Sequence, residues 1–86
     1  LTLKSELIQL KKDLEYYMEL NYMLEVTRLP EGGFIIAIPD LGIASMNAYG
    51  DSFEEAFETL EELKKDSFAR WINGGLPIQE PLKEGE

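Results

Sequence analysis

The sequence predicts an α+β domain in two layers, ordered α-β-β-β-α around a three-stranded antiparallel sheet, and three observations predict it. Apolar residues recur at helical spacing near the start, at Leu3, Leu7, Leu10, Leu14 and Tyr17. A period of two follows through Leu20, Tyr22, Leu24 and Val26, then a turn and an unbroken apolar run from Phe34 to Ile38. A capped stretch at helical period then spans residues 52–73. Strands grouped between helices, rather than alternating with them, mark the segregated class of fold.

The stripe over residues 3–16 places Lys4, Glu6, Lys11, Lys12, Asp13 and Glu15 on the opposite, wet side, so an amphipathic helix is expected there. Little more than two heptads is too short for a free coiled coil; packing on the protein's own sheet or on a second copy is expected. The sheet is assigned to residues 19–50. In "LPEGG" Pro30 presets a turn dihedral, and Gly32 and Gly33 take positive φ without penalty, closing a hairpin. The return strand, Phe34 to Ile38, is apolar on both faces, and something must cover both. Pro39 lacks an N–H for the ladder and, with Asp40 and Gly42, ends it. A third strand is placed within residues 43–49.

Ser52 and Glu55 form a capping box, with Asp51, Glu54 and Glu55 at the positive end of the helix dipole. Phe53, Ala56, Phe57, Leu60, Leu63, Ser67 and Trp71 make the expected apolar face, with Phe68 and Ile72 flanking it. Gly74 is the expected left-handed terminator. At ~33 Å this helix crosses a small sheet. Residues 74–86 read as an extended tail in which Leu76 and Ile78 tuck against the body.

With 86 residues, the chain has room for one domain over 1–86 and a single thin core. An apolar content of 44% with 29% charged residues describes a globular, soluble chain. No apolar run approaches the ~20 residues that span a bilayer, and the start lacks a secretory h-region, so a cytoplasmic location away from membranes is expected. Leu1 stands where Met would open a natural chain, which points to residues ahead of it or to a different start. Cysteine and histidine are both absent, which removes disulfides, thiolate sites, the commonest general base and the commonest zinc ligand. A net charge of −9 repels phosphate backbones, so direct nucleic-acid binding is disfavoured and a basic protein partner is favoured.

Taken together, "LPEGGFIIAIPDLG" and "AYGDSFEEAFETLEELKKDSFARWINGGLPIQEP" resemble the HicB antitoxin family. The matching positions are Gly32, Gly33 and Phe34; Pro39, Asp40 and Leu41; Gly50, Asp51 and Ser52; Glu54, Glu55 and Ala56; and Pro77 with Pro81. The resemblance implies a partial RNase H-like domain of short, HicB-like form. It departs in three places. The family's Pro-Asp-Leu-Pro-Gly is here "PDLGIASMNAYGD", the helix at 3–16 is an extension, and the DNA-binding segment that many members carry after the tail has no counterpart up to Glu86. DNA binding is therefore not carried over. The implied function is that of an antitoxin, not an enzyme, neutralising a small basic RNA-cleaving toxin of the HicA type by protein–protein contact. Dimers or tetramers are expected, with no cofactor or metal. The alternative is an orphan homo-oligomeric HicB-like module with an unknown ligand or protein partner.

Asp40, Asp51 and Glu25 are the carboxylates a two-metal nuclease would recruit. A turn explains Asp40 and a helix start explains Asp51, so no catalytic or metal-binding residue is assigned. Phe68 and Trp71 read as core or subunit interface rather than a ligand platform. The charges of "EEAFETLEELKKD" read as a solvated helix side, and "PEGG" as a hairpin turn rather than a phosphate loop.

Overall fold

The structure, a computed structural model, describes residues 12–42 and 44–81. Within them α1 (Leu14–Met18) leads to β1 (Glu25–Arg28), β2 (Phe34–Ala37), a 3-10 turn (Pro39–Leu41), β3 (Asn47–Gly50) and α2 (Phe53–Asn73). The three strands form one antiparallel sheet in the order β1-β2-β3. This is the expected α+β arrangement.

The first helix differs from the expected one. Asp13 is extended (φ −102°, ψ −168°) and its carboxylate accepts the Tyr16 N–H at 3.1 Å, so it caps a helix that starts only at Leu14. An aspartate competes with the preceding turn for these N–H groups and favours a start over a continuation. The helix then runs past the expected end at residue 16 to Met18; residues 1–11 lie outside the described ones. The first strand is correspondingly short. Glu25 opposite Ala37 is its last pair, because β2 turns away at Pro39, and residues 20–24 carry no ladder pair among the described residues.

The hairpin closes as the glycines require. Leu29 donates to the Gly33 carbonyl at 3.0 Å, and Gly32 and Gly33 hold φ of +103° and +95°. The third strand sits at the end of its expected window and one residue past it; of that window, Ile43 lies outside the described residues. Gly50 ends it for a steric reason: a Cβ there would lie 2.2 Å from the backbone nitrogen of Ala56. Only a glycine lets α2 pass this close.

Ser52 caps α2 by accepting the Glu55 N–H at 3.1 Å, and the Glu55 carboxylate reaches back to the Asp51 N–H. At the other end the left-handed residue is Gly75 (φ +68°), one place beyond the expected Gly74. Leu76 N–H bonds to Trp71 O and Gly75 N–H to Ile72 O, the paired closure of a Schellman motif.

The core lies between α2 and one sheet face. Ile36 and Ile38 point at the helix with Met46 and Ala48 and meet Ala56, Leu60 and Phe68. The buried stripe of α2 is Ala56, Leu60, Lys64, Ser67 and Phe68, rotated from the expected face. Phe68 is central rather than flanking, Leu63 and Trp71 are half-buried, and Phe53 and Phe57 are 42% and 37% exposed. Lys64 belongs to the buried stripe instead of the solvated side: its stem is covered and its Nζ pairs with Glu61 at 2.9 Å.

Among the described residues the tail folds back. Tyr22 Oη donates to the Gln79 carbonyl at 2.5 Å, Tyr16 Oη to Glu80 at 3.0 Å, and Lys12 Nζ pairs with Glu80 at 3.3 Å. Ile78 packs on the core as expected, whereas Leu76 is mostly exposed. No described helix is long and apolar enough to cross a membrane.

Candidate functional site

Three strands spaced ~4.8 Å apart make a sheet wider than the ~10 Å helix laid on it. The helix α2 packs chiefly on β3 and then on β2. The helix-side face of β1 is therefore uncovered by it, and Val26, directly opposite the fully buried Ile36, is 46% exposed. Phe34 and Phe53 meet edge to face at 6.5 Å, and Phe53 stacks on Phe57 at 6.1 Å with the rings 12° from parallel. Phe57 in turn borders a groove of about 300 Å³ between α2 and the 18–24 segment, with Met18, Leu20 and Leu24 on its apolar walls and Glu19, Glu61 and Lys64 at its edge. Beside α2 there is thus a slot of mixed lining, with Phe57, Leu20 and Leu24 as its apolar part and Glu19, Asn21, Glu61 and Lys64 as its polar part, next to the exposed Val26 and Phe53.

The opposite sheet face is a second open surface. Ala37 is buried and Ile35 half-buried there while Tyr49 is 51% exposed, and Thr27, Glu25 and Asn47 break up the apolar area. Tyr49 lies over Gly33 and donates its hydroxyl to Asp51 at 2.9 Å, which raises its pKa, the hydrogen bond being the main cause. Among the described residues α1 packs on α2, on the other side, so it does not cover this face. The double apolar character of Phe34 to Ile38 is thus half explained by the chain itself.

The three carboxylates singled out in the sequence do not converge. Glu25 sits at one end of β1 and Asp51 beyond the opposite end of the sheet, occupied by Tyr49 and the start of α2. Asp40 lies in the 3-10 turn, where with Leu41, Trp71 and Ile78 it lines a hollow of about 200 Å³ under the tail. Among the described residues no group of three or more acids, histidines or cysteines is placed to hold a metal ion. Phe68 and Trp71, 5.8 Å apart, do lie in and against the core. Tyr22 joins them at 6.1 Å from Phe68, and burial, with Glu80 nearby, pushes its phenol up to about 12.

The spacing of the sequence puts Phe53 and Phe57 on the core face, where the structure leaves them 42% and 37% exposed. The available signal was width: one helix cannot cover three strands. The tail latch carries no such signal, since nothing in the spacing of Tyr16, Tyr22 and Glu80 links them. The fold and its surfaces define a class, an acidic α+β protein with aromatic side chains left open beside its long helix. No family model matches the chain, and neither does any curated protein or solved structure.

Proposed function

We propose that this protein is a HicB-like antitoxin, a partial RNase H-like, non-catalytic domain of the cytoplasm that neutralises a small basic RNA-cleaving toxin of the HicA type by protein–protein contact. The observation that carries this reading is the pairing of exposed apolar surface, mostly aromatic, with acid excess: Phe53, Phe57, Val26 and Tyr49 open to solvent on a chain of 17 acidic and 8 basic residues. Long-range charge steers a cationic ribonuclease to such a surface and competes with RNA for its basic patch. Desolvated aromatic anchors then supply residence time. The residues behind the HicB resemblance have structural work consistent with it: Gly32 and Gly33 shape the hairpin, Pro39 to Leu41 stop β2, and Gly50 to Ser52 seat α2.

Co-expression with a neighbouring small basic reading frame tests this. Relief of its growth arrest and co-purification of a stable complex are the expected results; arrest that persists with both proteins present would overturn the reading. Dimers or tetramers are part of the proposal, favoured by the half-covered sheet face at Ile35 and Tyr49. Light scattering on the purified protein checks the mass. An orphan homo-oligomeric HicB-like module would give the same mass without any toxin.

A further inference from the structure

We propose that the slot beside the N-terminal half of α2, over β1, receives an amphipathic helix of a cationic protein partner, lying alongside α2 in the part of the helical layer that α1 does not fill. The inference rests on the antitoxin reading only for the identity of the partner, not for the existence of the slot.

The geometry sets the shape of the occupant. Packed helices lie 8–10 Å apart, about two strand spacings. The axis of α2 runs over β3 and β2, so a neighbour at that distance lies over β1 and its outer edge, where Leu24 and Val26 present their side chains. Phe53 and Phe57, one turn apart, form the wall it would pack against.

Charge sets the chemistry of the occupant. Glu54, Glu58 and Glu61 follow the two phenylalanines along α2 at helical spacing, and Glu19 borders the groove from the 18–24 side. Of the slot's cations, Lys64 is paired with Glu61, and Arg28 sits at the hairpin end opposite Phe34. A second copy would bring another net −9 against this rim. A lysine- or arginine-bearing helix instead sets its charges on the rim and its apolar stripe on the aromatic wall.

A synthetic leucine–lysine amphipathic helix serves as the probe, titrated into the whole protein and followed by amide chemical shifts. Binding should perturb Val26, Phe57 and Glu61, while a leucine–glutamate helix of the same pattern should not bind. Phe57→Ser should weaken binding about tenfold, corresponding to ~1.4 kcal/mol. Glu58→Lys should weaken it without touching the apolar wall, and Tyr49→Ser on the opposite face should leave it unchanged. No binding, equal binding by Phe57→Ser, equal binding of the acidic peptide, or shifts centred on Ile35 and Tyr49 would each overturn the slot. In co-expression, a toxin still neutralised by Phe57→Ser also overturns the slot while the antitoxin reading stands. A toxin that the unaltered protein fails to neutralise overturns the antitoxin reading and leaves the peptide titration to decide the slot.

Discussion

The two ends of α2 carry aromatic clusters of similar size and opposite fate. Towards its C-terminus Phe68 is fully buried, with Tyr17, Tyr22 and Trp71 around it at 5.8–6.1 Å. Towards its N-terminus Phe53 and Phe57 stack on each other and are open to solvent. Helix propensity does not distinguish them, since both belong to one continuous helix with sound caps at each end. What differs is cover. The short helix α1, the 20–24 segment and the 76–81 tail all converge on the C-terminal end. Burial in a chain this short is thus a matter of where the connecting segments lie, not of how apolar a residue is.

The largest expected effect breaks the sealed cluster. Phe68→Ala removes a fully buried ring with aromatic neighbours on several sides and should cost about 3–5 kcal/mol in denaturant unfolding. Phe53→Ala, in the open cluster, should cost only about 1 kcal/mol, because 42% of that residue stays in contact with water and contributes no burial. Equal costs would refute the distinction between the ends. Next in size is Gly50→Ala, which pushes a methyl into the backbone of Ala56 and forces the start of α2 off the sheet. Overpacking of this kind costs about 1–3 kcal/mol. The loss should appear as faster amide exchange over residues 50–57 before the sealed end responds.

The elements that local chemistry dictates were legible in the sequence, and those set by tertiary cover were not. Ser52 with Glu55, the Gly32–Gly33 turn and the stop at Pro39 all act within four residues of themselves, and each stands where the sequence puts it. Asp13 is equally local, and its cap interrupts the helix expected over 3–16 at Leu14, while residues 3–11 of that stripe lie outside the described ones. The face of α2 misled differently. Positions 53, 56, 57, 60, 63, 67 and 71 fit a stripe as well as 56, 60, 64, 67 and 68 do, and only the lateral offset of the helix towards β3 chooses between them. That offset follows from Gly50, whose missing side chain lets the helix come down close beside its own preceding strand. The open slot was therefore hidden in a single glycine, not in the apolar pattern.

The latch that seals the C-terminal end gives a prediction with a definite sign. Tyr22 is held neutral chiefly by burial, with Glu80, Tyr17 and Asp40 adding to the effect, so its pKa rises from 10.0 to about 12 on folding. A group that binds its proton more tightly when folded adds stability that is complete below pH 10.0 and lost as pH climbs to about 12. Tyr22→Phe should cost about 1 kcal/mol at neutral pH through the lost bond to Gln79, and should flatten that alkaline decline. Tyr16, raised by its hydrogen bond to Glu80, leaves a residual slope. Unfolding midpoints across the alkaline range measure both parts, and an unchanged slope in Tyr22→Phe would place the sensitivity elsewhere.

The smallest expected effect sharpens the comparison most. Phe57→Ser should shift the unfolding free energy by only about 0.5 kcal/mol, the range of ordinary surface changes, because the ring packs mainly on Phe53 and on an open groove. A core aromatic lost to serine behaves otherwise, combining cavity and polar-burial costs. If Phe57→Ser proves as damaging as Phe68→Ala, then solution contains something that closes the slot and makes both ends of α2 equal. If it proves neutral, the aromatic wall contributes nothing to the isolated fold, and its place on an acidic flank has a physical use only when a cationic helix is seated against it.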